Sequence, residues 1–323
     1  MRFDRQITRR TLTRALAALP FAGLATRTAQ AQDATPSGKI AYVRGGDIWQ
    51  WSGGNDSLYL EDGYATTPTW SPDGQELIFT RSMGSYANLV RFRSQTGTRR
   101  ALTDNESYLE QGSYDYVAGS SWALGPYWSD AGIVCFVSDM QTSGQMLLWI
   151  MTAISEDMYT APSDGTDLGN IEHVSVDDSG TYAVYTVLEP DESAGGTTYV
   201  ALRNLNTGIT TPVADGTTGM YDPDISPDGD TLVVSLRSPE GVTDLWLYNL
   251  LTGAFTQLTF GANAVQARWS PDGTWIAYFV PTQDQFELWA MPITANQDAA
   301  AGDAVRLVAH DDIDAPSGLS WAP

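Results

Sequence analysis

Short runs of apolar, β-branched and aromatic residues recur along the chain at 77–80, 133–138, 182–187, 232–236 and 276–280, separated by polar stretches rich in Gly, Ser and Asp. Runs of this length and composition read as strands, because they are too short for helices. Each follows a turn-forming segment. Trp70-Ser71-Pro72-Asp73-Gly74, Ile225-Ser226-Pro227-Asp228-Gly229 and Trp269-Ser270-Pro271-Asp272-Gly273 are unmistakable copies of one another. Ser, Pro, a free position and Gly are the preferences of the four positions of a type I turn, so the motif predicts a hairpin between a first and a second strand. Third strands open with an acid or amide ahead of an apolar pair, as in Asp47-Ile48-Trp49, Asn88-Leu89-Val90, Asp244-Leu245-Trp246 and Glu287-Leu288-Trp289. Fourth strands follow at 99–103, 209–213, 255–259 and 305–309.

Weaker copies of the turn are Trp128-Ser129-Asp130-Ala131-Gly132 and a segment from Val174 to Gly180, and Trp321-Ala322-Pro323 is a truncated sixth. Their first residues at 70, 128, 174, 225, 269 and 321 are separated by 58, 46, 51, 44 and 52 residues, the length of one four-stranded propeller blade. Residues 40–43, 47–51 and 57–60 supply a second, third and fourth strand without a first, and 318–321 supply a first strand with nothing after it. The expected fold is therefore all-β, a single six-bladed β-propeller over 39–323 whose ring is closed by the C-terminal strand, leaving no long unpaired edge.

The Trp-Ser-Pro-Asp-Gly repeats resemble the WD40-like (PD40), TolB-type propeller repeats of bacterial envelope proteins. The resemblance spans 39–323. It implies a propeller of the cell envelope and leaves the partner open, since one fold carries many functions. Peptidases with related propellers need a Gly-x-Ser-x-Gly elbow with a following Asp and His, and no such pentapeptide occurs. Pectin-degrading lyases of this resemblance hold a metal with several histidines, whereas this chain has only His173 and His310. No catalytic residue is assigned, and the chain is expected not to be an enzyme.

The N-terminus changes the picture of where the protein acts. Arg2, Arg5, Arg9, Arg10 and Arg14 precede a short apolar stretch at 15–25 and a small-x-small site at Ala29-Gln30-Ala31, the layout of a removable signal peptide over 1–31 with a linker at 32–38. The Arg9-Arg10 pair resembles a twin-arginine address. The apolar stretch is shorter than the roughly 20 residues of a bilayer span, so the protein is expected to be exported, periplasmic or extracellular, monomeric and without membrane insertion.

Net charge is −22 for the full chain. Without residues 1–31 the basic residues fall from 17 to 11 and the acidic ones from 39 to 38, a net −27, with Lys39 the sole lysine. Such a surface repels phosphate backbones, which excludes nucleic acid as a partner. Calcium is the one cofactor the composition leaves open, through acid pairs such as Asp222-Asp224, Asp177-Asp178 and Asp311-Asp312-Asp314, although none follows a calcium-loop pattern. Cys135 lies inside an apolar run and reads as a buried small hydrophobe.

The longest repeat interval contains an irregular segment, 103–127, with Tyr108, Tyr114, Tyr116, Trp122 and Tyr127. Long loops with clustered aromatics are binding candidates, and these five residues are the expected partner-binding site. The tryptophans at 70, 128, 269 and 321 are expected to pack between blades. The leading functional reading is a non-catalytic module that binds a protein or peptide. The alternatives are a carboxylate- or calcium-dependent hydrolase or lyase acting on a carbohydrate or lactone, and a glycan-binding module.

Overall fold

The computed structural model describes residues 35–142, 144–165, 170–189 and 197–323. The signal segment 1–31 lies outside the described residues. Six four-stranded antiparallel sheets form the blades. Their inner strands are Leu319–Ala322, Ala65–Trp70, Ala123–Trp128, Asn170–Val176, Met220–Ile225 and Val265–Trp269, here the inner strands of blades 1 to 6. Each packs against the inner strand of the next blade, and that of blade 6 packs against that of blade 1, so the ring is closed. In blade 1, Leu319–Ala322 pairs with Lys39–Arg44 in the register Ile40 opposite Trp321. The C-terminal strand thus completes the N-terminal blade.

The second strands read as continuous apolar runs because both of their faces are buried. In blade 3, Val134 and Phe136 join the core shared with blade 2, and Cys135 and Val137 join the core shared with blade 4. The same alternation gives six separate cores, one between each pair of neighbouring blades. Burial pushes the Cys135 thiol up to about 12, leaving it an inert core group.

The turn motif fastens each inner strand to its second strand. Ser71 Oγ donates to Asp73 Oδ1 (2.6 Å) and accepts from the N–H groups of Gln75 (3.1 Å) and Glu76 (2.9 Å). Ser226 with Asp228 and Ser270 with Asp272 repeat the arrangement at 2.6 Å. In blade 4 the repeat begins at Val176 rather than Val174. Asp177 takes the place of the motif serine there, its Oδ1 accepting from the N–H groups of Thr181 (2.9 Å) and Tyr182 (2.7 Å). A carboxylate can fill the acceptor role of a hydroxyl, which is why the copy looks degraded in the sequence.

Among the tryptophans, Trp70, Trp269 and Trp321 are buried between blades. Trp128 is half-buried and lies 5.0 Å beneath the Arg91 guanidinium. No helix among the described residues is long and apolar enough to cross a membrane.

Candidate functional site

All six inner strands line a central channel of about 130 Å³. Each strand meets it in the same way. Three residues before the last turn-motif anchor, the backbone turns left-handed: Thr67 (φ 43°), Gly125 (58°), His173 (53°), Asp222 (50°), Gln266 (55°) and Gly318 (65°). In blades 2 to 6 this position coincides with a shift in strand register, a β-bulge; Thr67, Gly125, His173, Gln266 and Gly318 line the channel at this level, and Asp222 is buried against the channel-lining His173. Glycine adopts this backbone freely at two positions, whereas an L-residue there costs roughly 1–2 kcal/mol, so four blades carry strain at one level of the ring.

Three of those four side chains meet. Asp222, 2% exposed, reaches back to blade 4, where its Oδ1 lies 2.9 Å from His173 Nδ1. Both atoms are buried in this contact, and neither has a further hydrogen-bond partner. His173 Nε2 lies 3.2 Å from Gln266 Nε2 of blade 6, and the amide donates when the imidazole carries its proton on Nδ1. Burial works against a charge on His173, but the Asp222 carboxylate, helped by Glu172, outweighs it and raises the imidazole pKa despite the opposing Arg268.

Two residues closer to the turns runs a second ring. Ser320, Thr69, Ser175 and Asp224 each accept the backbone N–H of the next blade's anchor, from Trp70 (2.9 Å), Trp128 (3.1 Å), Ile225 (3.1 Å) and Trp269 (2.7 Å). Tyr127 and Arg268 hold the two remaining positions. Ser175 Oγ donates to Asp224 Oδ1 (2.7 Å), and Arg268 Nη1 stands 4.0 Å from the same oxygen. Burial raises the pKa of Asp224, and Arg268, Trp269 N–H and Ser175 oppose the shift. At the turn end of the channel, Asp178, although its side chain is exposed, is raised to about 6 by partial desolvation and by the neighbouring charges of Asp130, Asp177, Asp224 and Asp228.

The five aromatics expected to bind a partner are separated by the structure. Tyr127 lines the channel, and burial together with the Asp224 charge raises its phenol pKa. Trp122 is half-buried at the root of the loop, its N–H donating to Asp139 Oδ1 (2.7 Å). Tyr116 is buried, its hydroxyl donating to Glu106 Oε1 (2.9 Å). Tyr108 and Tyr114 project into solvent, 97% and 85% exposed. The loop between the outer strand Thr98–Ala101 and the inner strand Ala123–Trp128 is nevertheless built. Ser113 caps the five-residue helix Tyr114–Ala118 by accepting from Tyr116 N–H (3.0 Å), and Glu106 also accepts from Tyr86 Oη (3.0 Å) and Gln111 Nε2 (3.1 Å). Asn105 Nδ2 ties the loop to the Ala87 carbonyl (2.7 Å).

No protein-family model matches the sequence, and no curated protein does. Solved structures do match this architecture. TolB from Acinetobacter baumannii superposes with a TM-score of 0.66 at 17% identity, over 88% of this chain and 67% of its own. A protein assigned as TolB from Agrobacterium tumefaciens gives 0.62 at 13% identity, over 90% of this chain and 100% of its own. The fold is the TolB-type β-propeller. An oligogalacturonate lyase from Vibrio parahaemolyticus shares it at a TM-score of 0.51 and 11% identity, over 85% of this chain and 74% of its own.

Within this TolB-type propeller the donors for an imidazole-held metal do not converge. His173 stands on the inner strand of blade 4, and His310 ends the outer strand Val305–His310 of blade 6. Of the acid pairs considered for calcium, Asp222 contacts His173, and Asp224 accepts from Ser175 and Trp269. His310, Asp311 and Asp312 bring their ligand atoms within 4.8 Å of one another. Arg44 Nε, 2.7 Å from Asp312, already supplies positive charge there.

Sequence reasoning missed the His173–Asp222–Gln266 group, weighing His173 only as one of two histidines and Asp222 only as an acid open to calcium. A signal existed. Aligning the repeats on their structural anchors places 67, 125, 173, 222, 266 and 318 at one equivalent position. The two-residue offset of the blade 4 repeat concealed it.

Proposed function

We propose that this protein is an exported, non-catalytic recognition module that docks a partner protein on the propeller face where the fourth-to-first-strand loops emerge. One observation carries the reading. A loop braced by Ser113, Asn105 and Glu106 holds Tyr108, Leu109, Tyr114 and Val117 out to solvent instead of burying them. Exposed apolar groups on a preordered segment support docking, because little conformational freedom remains to be lost on binding. The test is photocrosslinking in the native host from a photoreactive residue at position 108, compared with one at Ile154, an exposed residue of blade 3. A discrete adduct from 108 alone, lost in Tyr114→Ser, is expected. Identical patterns from both positions defeat the reading.

A hydrolase or lyase acting on a carbohydrate or lactone is the second reading, favoured by Asp178, raised into the range of a general acid. Incubation with oligogalacturonate and related uronates tests it by the appearance of unsaturated or shortened products that Asp178→Asn does not form. For a glycan-binding module, the informative variants are Tyr108→Ala and Tyr114→Ala, since Tyr116 is enclosed.

A further inference from the structure

We propose that the mouth of the central channel is a binding site for a cationic head group, a guanidinium or primary ammonium, with Asp222 as its counter-ion and His173 as the resident group it displaces. The site does not depend on the aromatic loop.

Backbone geometry supplies the first argument. At the left-handed position of the ring, Gly125 and Gly318 show that glycine suffices to make the bulge, yet blades 4, 5 and 6 carry His173, Asp222 and Gln266 there. Strain kept at one level of a cavity, by side chains that meet each other, points to a use for those side chains. The contacts give the second argument. His173 Nδ1 and Asp222 Oδ1 are buried 2.9 Å apart, and neither atom has a further hydrogen-bond partner. The other carboxylate oxygen accepts only the Gln266 backbone N–H, at 3.4 Å, so acceptor capacity remains, and a guanidinium or ammonium carries several donors in place of one.

Charge supplies the third. The charged groups that act on His173 are Asp222 and Glu172, which favour its protonation, and Arg268, which opposes it, while Gln266 contacts it as a neutral partner. Deeper in the channel stand Asp224 and Asp178. Among the described residues lining the channel, Arg268 is the only arginine or lysine, and it is engaged with Asp224. When His173 is protonated, Asp222 has its cation. When His173 is neutral, the mouth holds an unmatched negative charge beside a cavity of about 130 Å³, with room for a head group.

The experiment is calorimetric titration of the folded protein with agmatine, which carries a guanidinium and an ammonium, between about pH 5.5 and about pH 8.5. Affinity is expected to rise by about tenfold or more across that range as His173 loses its proton. Asp222→Asn should abolish binding, and His173→Asn, whose side chain tolerates a left-handed backbone, should bind with no pH dependence. Asp303→Asn, exposed just ahead of the outer strand of blade 6 and away from the channel, should bind as the parent does, which separates the site from general attraction to an acidic surface. By linkage, agmatine should also lower the pKa of His173 followed by NMR, a readout that needs no variant to fold. An arginine-containing peptide that binds more tightly than agmatine identifies the natural source as a protein side chain, and equal affinities identify a free small cation. Undiminished binding to Asp222→Asn, a pH-independent affinity in the parent, or an unmoved His173 pKa would each overturn the proposal.

Discussion

Trp321→Ala tests whether the ring owes its stability to closure by the C-terminal strand. Trp321 is 9% exposed and sits opposite Ile40 in the register that joins the two ends of the chain. Its indole packs with Trp275, Phe279 and Leu319 in the core between blades 6 and 1, and its Nε1 donates to the Ser37 carbonyl (2.9 Å). Truncating a buried tryptophan costs about 3–5 kcal/mol, the transfer term and the cavity term together. At about 2 °C per kcal/mol for a domain of this size, Tm should fall by roughly 6–10 °C. Trp128→Ala is the internal control. Trp128 is only half-buried, so its loss should cost about 1–2 kcal/mol. The assay is a scanning-calorimetry melt of residues 32–323 for parent and both variants. Deleting 318–323 should go further, because Lys39–Arg44 then becomes an open edge that favours aggregation. A Trp321→Ala melt within about 2 °C of the parent, or no lower than that of Trp128→Ala, would refute the closure argument.

Asp178 binds a proton in the folded state up to about pH 6, where an unfolded aspartate has already released it. Its contribution therefore lowers stability progressively as pH rises from about 4 to about 6, and the deficit is complete above that window. The side chain is exposed, so solvent screening reduces the gain from Asp178→Asn to about 1 kcal/mol, near 2 °C in Tm at about pH 7.5 and none at about pH 4; an equal change at both pH values contradicts the assignment. Gly318→Ala and Gly125→Ala separate strain from crowding. Both place a side chain at positive φ, costing about 1 kcal/mol, but a Cβ on Gly318 also meets Gln266 Oε1 at 3.0 Å, whereas one on Gly125 meets nothing within 4 Å. Urea unfolding should rank Gly318→Ala as the less stable, and the reverse order would remove the packing of Gln266 against blade 1.

What could be read from the sequence was chemistry that acts over a few residues. A Ser-Pro-Asp-Gly turn closes on itself through Ser71 and Asp73, and a strand buried on both faces is dominated by apolar side chains, as in Ile133–Ser138. Repeating those local signals around the chain also specified ring closure, because an orphan first strand at the C-terminus and a blade lacking one at the N-terminus have a single mutual solution. Tertiary structure decided the rest. Tyr114 and Tyr116 are two residues apart in one short helix, yet one is exposed and the other enclosed, because helix phase turns Tyr116 toward Glu106. His173, Asp222 and Gln266 are separated by 49 and 44 residues and bear no local mark of partnership. They meet only because the closed ring sets equivalent positions of successive blades side by side, with a bulge in each strand at that level. Contacts that depend on the curvature of a whole ring leave no periodic trace in any one segment.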